Sequence, residues 1–443
     1  MSNSKVTLHS KLTAVSSKPV SSGKTHTLSD LDSAMAFHTL HIIIYYNNQD
    51  NFFVSSDLSH LRESLSKVLT SYPTMTGRLA TGVDGNWEVK CNDAGVRVII
   101  ATVDTTLHQW LSSASASQEK LLTAWDDMPH DPSTWSPFRI QINSFEGGGV
   151  AIGLSCNHML ADFSFLASFF KSWTETHRHL PITYPPSFTP LLNHSLPPYE
   201  TTTKQPPTSP PKMATTTFKF SSSTIKQCLS KVHQTCPNAT PFDFLAALFW
   251  SRIALLKPST NHHQTHSLTL CTDFRSLLKA PLPIGYFGNA LHFSTVSQKM
   301  ENMMDSDQLG DTVSLVHEHL AGLAEEEIWS AIEGGKKLKS PSCMYGNELT
   351  CVCMEHLMDE ANDESLLYAA KFGNNERPAH VTCQVGNVRG EGLIIVMPSN
   401  EGGVARNVLV MLVEEELAEL SKDEVVLQLE PTVVLAGCGV VDH

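Results

Sequence analysis

His158 and Asp162 stand four residues apart in the stretch Leu154-Ser155-Cys156-Asn157-His158-Met159-Leu160-Ala161-Asp162. The apolar run Gly149 to Leu154 ahead of it reads as a buried strand. The aromatic-rich run Phe163 to Trp173 after it has Phe165, Phe169 and Trp173 at helical spacing. His158 is therefore expected where a strand ends and a helix is about to begin. There a loop exposes a side chain while the sheet holds it still. A neutral imidazole so placed can take a proton from an alcohol or an amine near neutral pH, which is the requirement of a general base. The same two residues also fit a structural role, with His158 packed beside its strand and Asp162 capping the next helix.

Other polar clusters are weaker as chemistry. His262-His263-Gln264-Thr265-His266 could bind a metal but reads as a polar loop. Cys351, Cys353 and His356 read as alternating strand positions without a fourth ligand at a telling distance, so no metal site is expected. Glu146-Gly147-Gly148 has no following Lys-Ser/Thr and reads as a turn, not a phosphate cradle. Lys336-Lys337-Leu338-Lys339 is the one dense basic run, either a solvated loop or a contact for the phosphates of a ligand.

The elements that must position these residues follow from composition and pattern. At 443 residues the chain is too long for one ordinary core, so two domains are expected. A hydrophobic content of 41% with 17% charged residues fits a well-buried globular protein. The net charge of −14 argues against nucleic acid as a partner. No apolar run approaches a membrane span, and Met1 to Lys24 lacks the apolar core of a secretory signal; a soluble cytoplasmic protein is expected. The 10 cysteines are dispersed, many of them in apolar segments (Cys91, Cys156, Cys271, Cys383), as reduced buried thiols would be. Nothing requires an oligomer.

In order, the pattern predicts a short helix capped by Leu28 to Asp32, a strand over Leu40 to Tyr46 and a helix over Leu58 to Tyr72. Strands Asn86 to Lys90 and Val96 to Val103 should flank a turn at Asn92-Asp93-Ala94-Gly95, and Phe138 to Phe145 should pair with Gly149 to Ser155. From Pro181 the composition shifts to Pro, Ser and Thr, the mark of a linker over 181–213 between domains 1–180 and 214–443. Beyond it come strands at Thr215 to Phe220, Ser267 to Cys271, Gly392 to Met397 and Val404 to Leu412. Helices are expected at Ser223 to Val232, Phe242 to Leu256 and Glu414 to Leu420. The mixture indicates an α/β fold with mixed sheets.

Four segments together resemble the plant BAHD family of acyl-CoA-dependent acyltransferases. The His-x-x-x-Asp signature is matched by His158 to Asp162, and an early helix and turn by Leu65-Ser66-Lys67-Val68-Leu69 through Gly77-Arg78-Leu79. Asp273-Phe274-Arg275 and Gly285-Tyr286-Phe287-Gly288-Asn289 match two further signatures, and the order holds from about Leu28 to Leu420. The resemblance implies two chloramphenicol-acetyltransferase-like domains with a channel between them, part of 360–385 packing with the first. It implies acyl-CoA as a co-substrate with no bound cofactor, and a small-molecule acceptor. His158 would be the general base; Asp162, Arg275 and Asp273 would support its loop, and Lys336, Lys337 and Lys339 would touch CoA phosphates.

The chain also departs from the family. Lys371-Phe372-Gly373-Asn374-Asn375 stands where members carry Asp-Phe-Gly-Trp-Gly, and Phe163 replaces the glycine after the signature aspartate. Donors near that motif support the oxyanion in members, so Phe372, Gly373 and Asn374 become oxyanion or channel candidates. Leu31-Asp32-Ser33-Ala34-Met35 with His38, Lys90 to Gly95, and Tyr345-Gly346-Asn347-Glu348-Leu349-Thr350 resemble the eceriferum/glossy-type branch of cuticular wax synthesis. That branch implies an alternative: a non-catalytic partner of a fatty acid elongase condensing enzyme, at the cytosolic face of the endoplasmic reticulum.

Overall fold

Apolar alternation along the chain sorts into two large mixed sheets, with helices packed against them. The computed structural model describes residues 6–20, 23–54, 58–83, 85–189, 212–257, 265–303, 309–333, 344–359 and 364–435. The basic run Lys336 to Lys339, residues 262–264 and the linker positions 190–211 lie outside the described residues.

The first sheet has six strands in the order Val6–Ala14, Val96–Thr106, Phe138–Glu146, Val150–Asn157, Thr39–Tyr46 and His380–Gly386. Every residue of Val150–Asn157 is buried, which fits the unbroken apolar run from Val150 to Leu154. It pairs antiparallel with Phe138–Glu146 on one side and with Thr39–Tyr46 on the other. The edge strand Val6–Ala14 has a largely exposed, Ser- and Thr-rich sequence that gave no strand signal. Its place comes from pairing with Val96–Thr106.

The expected hairpin around Asn92 to Gly95 does not form. Trp87–Lys90 instead joins Thr25–Thr27 and Arg78–Thr81 in a small three-stranded sheet, while Val96–Thr106 enters the large one. The turn between them faces other parts of the chain: Ser16 donates its backbone N–H (3.1 Å) and its hydroxyl (2.6 Å) to the Asp93 carboxylate. The Arg78 guanidinium donates to the carbonyls of Ala94 and Gly95.

The second sheet has seven strands in the order Leu291–Lys299, Thr265–Asp273, Leu349–Cys353, Leu393–Pro398, Arg406–Val413, Met213–Phe220 and Thr432–Val434. Its side chains alternate between two cores, as a strand period of two requires. Ile394, Val396, Val408 and Val410 pack with the helix Pro241–Leu256. Leu393, Ile395, Leu409 and Met411 belong instead to the core that also holds Ile152, Leu154, Phe165 and Phe169. One continuous apolar core therefore joins the two sheets.

The strand His380–Gly386 joins the halves by backbone. It follows the second sheet's Leu349–Cys353 in the chain, yet pairs with Thr39–Tyr46 of the first, His380 opposite Tyr45 and Gln384 opposite His41. The helix Phe163–His177 lies beneath the first sheet with twelve of its fifteen residues buried. Fully buried aromatics such as Phe165, Phe169 and Trp173 contribute about 1.5–3 kcal/mol each through removal of apolar surface from water. Among the described residues no helix is long and apolar enough to cross a membrane.

Candidate active site around His158

The strand Val150–Asn157 ends in a single turn, His158–Leu160, and the helix Phe163–His177 begins at once after it. Asn157 closes the turn by accepting the Met159 N–H (3.0 Å) and donating to the Ala36 carbonyl (3.0 Å). The backbone of His158 is held at both ends. Its N–H donates to the His38 carbonyl (3.0 Å), and its carbonyl accepts from Asn289 Nδ2 (2.8 Å).

The His158 ring is 1% exposed. Its Nδ1 lies 2.9 Å from the Ala161 carbonyl, which can only accept, so Nδ1 carries the proton. Nε2 then presents a lone pair, and the Tyr345 hydroxyl donates to it at 2.8 Å. The two rings stack with centroids 5.6 Å apart at 23°. Burial pushes the imidazole pKa down to about 4, more than Asp162 and the neighbouring carbonyls push it up, so the ring is neutral at physiological pH. His38 lies beside it in the same form, Nδ1 donating to the Gly386 carbonyl (3.2 Å) and Nε2 accepting the Met344 N–H (3.1 Å).

Asp162 does two things at once. It caps the helix by accepting the Phe165 N–H (3.0 Å), and it accepts a bidentate pair from Arg275 at 2.7 and 3.0 Å. The Ala290 N–H is a fourth donor to the same carboxylate (3.0 Å). Arg275 is bonded as well to Asp273 and to the Tyr286 carbonyl. Asp273 in turn accepts from Ser164 (2.9 Å), whose hydroxyl lies 2.7 Å from His356. His356 thus belongs to this network.

The segment Gly285 to Asn289 closes the site from the other side. Asp32 accepts the Asn289 N–H (2.7 Å) and Nδ2 (2.9 Å), while its second oxygen accepts from Ser29. Gly288 sits at φ +115, and a Cβ there would stand 3.0 Å from Asp32, so a side chain would push apart the Asp32–Asn289 contact that holds the His158 carbonyl.

Phe372, Gly373 and Asn374 are not brought to His158. Phe372 stacks on Phe52 (4.8 Å, 6°) and meets Trp173 and His177 edge-on. Those two residues lie at the far end of the helix that starts beside His158, and Trp173 is ten residues, or about 15 Å, beyond Phe163 along its axis. The Asn374 N–H donates to Asp50 (2.8 Å), and Gly373 makes the turn at φ +52 with Asp50 and Phe52 against it. These residues bind the loop carrying Asp50 and Phe52. Tyr345, His38 and Asn289 are what the structure adds around the ring. Asn289 lay in a recognisable segment, whereas nothing in sequence spacing links Tyr345 to a residue 187 positions away.

Comparison with known proteins matches this architecture. A model of the Transferase family matches residues 4–426. Hydroxycinnamoyltransferase of Narcissus pseudonarcissus is 26% identical over 87% of this chain and 91% of its own length. Protein ECERIFERUM 2 of Arabidopsis thaliana is 27% identical over 96% of this chain and 99% of its own. Among solved structures, vinorine synthase superposes with a TM-score of 0.72 at 21% identity, covering 96% of this chain and 98% of that one. F. sporotrichioides TRI101 complexed with coenzyme A and T-2 superposes with a TM-score of 0.67 at 14% identity, covering 94% and 100%. With three of its four family segments meeting at one strand-to-helix turn and the family model matching almost its whole length, the chain belongs to the Transferase family, the BAHD acyltransferases.

Proposed function

We propose that the protein transfers an acyl group from acyl-CoA to a hydroxyl or amine of a plant metabolite, with His158 as the general base. The observation that carries this is the state of the imidazole: Nδ1–H fixed on the Ala161 carbonyl, Nε2 free of its own proton and already accepting from a hydroxyl at 2.8 Å. An acceptor hydroxyl in that position gives its proton to Nε2 as its oxygen attacks the thioester carbonyl. The tetrahedral oxyanion then collapses, the C–S bond breaks, and the CoA sulfur takes the proton from the imidazolium. Asp162, Arg275 and Asp273 hold the loop and do not touch the reacting atoms. Acyl-CoA as donor is supported by the coenzyme A complexes among structures of the same fold. We assign the CoA phosphates to Lys336, Lys337 and Lys339, the dense basic run of an acidic chain.

A second reading has its own support. A fold that binds acyl-CoA without turnover, as partner of a fatty acid elongase condensing enzyme in very-long-chain fatty acid and wax synthesis, agrees with the Tyr345 hydroxyl on Nε2 and with the near full-length likeness to Protein ECERIFERUM 2. It implies work at the cytosolic face of the endoplasmic reticulum, where the first reading implies the cytoplasm.

The test is CoA thiol release by the purified protein with aliphatic, benzoyl and hydroxycinnamoyl CoAs and mixed plant alcohols and amines. Release that needs an acceptor and disappears in His158→Ala supports transfer. Silence across the panel, with fatty acid elongation in yeast co-expressing a condensing enzyme unaffected by His158→Ala, overturns it in favour of the partner.

A further inference from the structure

The Tyr345 hydroxyl stands where the reaction needs another molecule. A base takes a proton from the acceptor along its Nε2 lone pair, and in this chain that lone pair is occupied by a phenol at 2.8 Å. The occupancy is built. Tyr345 is 1% exposed, stacked on His158, with His38 (5.0 Å, 90°) and Phe293 (5.2 Å, 77°) against it edge-on. The backbone on each side is fixed too. The Met344 N–H donates to His38 Nε2 (3.1 Å), the Gly346 N–H to Thr350 Oγ1 (3.2 Å), and the Glu391 N–H to the Gly346 carbonyl (2.8 Å). The His38 ring that braces Tyr345 also lends its backbone carbonyl to the His158 N–H. Base and phenol are thus set by one framework.

We propose that Tyr345 is the acceptor-selecting residue of this site: its phenol holds the acceptor-hydroxyl position on His158, refusing water and small alcohols and admitting an acceptor that displaces the ring. Water reaching Nε2 beside a bound thioester would hydrolyse the donor. A side chain that fills the position until a shaped acceptor replaces it prevents that loss. The selection is steric as well as polar, because the ring and not the hydroxyl alone fills the space between His38, Phe293 and His158. The proposal rests on His158 acting as the base.

The experiment measures CoA release from acetyl-CoA and palmitoyl-CoA, in water and with added ethanol, by the wild type, Tyr345→Ala and Tyr345→Leu, each with and without His158→Ala. Tyr345→Leu retains apolar bulk in case the smaller side chain unfolds the site, and far-ultraviolet circular dichroism checks both. Carbethoxylation of His158 by diethyl pyrocarbonate, mapped by mass spectrometry, reports access to the ring without any turnover. In the Tyr345 variants His158 should carbethoxylate faster, and hydrolysis or ethanolysis should rise about two- to tenfold, the factor one net hydrogen bond controls, and vanish with His158→Ala. Wild-type ethanolysis equal to that of the variants, or an increase that survives His158→Ala, overturns the role of Tyr345 and leaves the acyltransferase reading standing. Faster carbethoxylation with no CoA release from any form overturns the acyltransferase reading, and the selecting role with it.

Discussion

Glu119 offers a measurable handle on how the two halves are joined. The carboxyl is 1% exposed at the end of the short helix Ala116–Glu119 and sits over the two strands that bridge the halves. Tyr45 donates its hydroxyl to one oxygen (2.5 Å) and Gln384 its amide to the other (2.6 Å). Burial raises the Glu119 pKa from 4.5 to about 7, more than these hydrogen bonds lower it. The folded state therefore holds this proton more tightly than the unfolded chain. Its stabilising effect is full below the unfolded pKa of 4.5 and is lost as pH rises towards 7. Between pH 5 and pH 8 the loss from this one group is about 2–3 kcal/mol. Glu119→Gln removes the titration; the Gln384 amide turns to offer its oxygen, and Tyr45 keeps its acceptor. Urea melts of both proteins at pH 5, 6, 7 and 8 should diverge, the substituted protein gaining on the wild type by about that amount over the range. Parallel pH profiles would refute the placement of a protonated carboxyl between Tyr45 and Gln384.

Two further predictions concern the candidate site. Asp162→Asn sets an amide NH2 against two of the four donors now on the carboxylate and leaves buried Arg275 with Asp273 as its remaining anion, so destabilisation of about 3–5 kcal/mol is expected. Chemical denaturation reads it, and Asp162→Asn combined with Arg275→Met should lose less than the two single changes summed. Because burial pushes His158 down to about 4, the acid limb of the rate profile should fall well below the ordinary histidine value of 6.5. A pH series of kcat/KM with half-maximal activity near 6.5 would show that the ring is more hydrated in the working enzyme than in this structure.

Much of the fold was determined by local pattern. The apolar run Gly149 to Leu154 reads as a buried strand and the Phe163 to Trp173 spacing as a buried helix, and both form. Asp162 was legible as a helix cap because capping depends on the next three residues. The strand Val6–Ala14 was not legible, since an exposed polar edge strand takes its conformation from the partner it pairs with. His380–Gly386 shows the same limit inside the core. The sequence pattern does not single it out as a strand, and its place beside Thr39–Tyr46 depends on where two other parts of the chain already lie.

The site divides in the same way. The residue types of His158, Asp162 and Arg275 were given by the sequence, but a carboxylate and a guanidinium 113 positions apart meet only because the turn after Val150–Asn157 faces the end of Thr265–Asp273. The replaced motif at Lys371 to Asn375 could be read as part of that site from sequence alone. Where its Phe372 packs, on His177 and on Trp173 about 15 Å along the helix from Phe163, was decided by tertiary structure. Tyr345 lay in a segment recognisable by resemblance, but only packing placed its hydroxyl on His158. Local propensity acts over a few residues, whereas a reactive centre depends on which distant surfaces the burial of apolar area brings together.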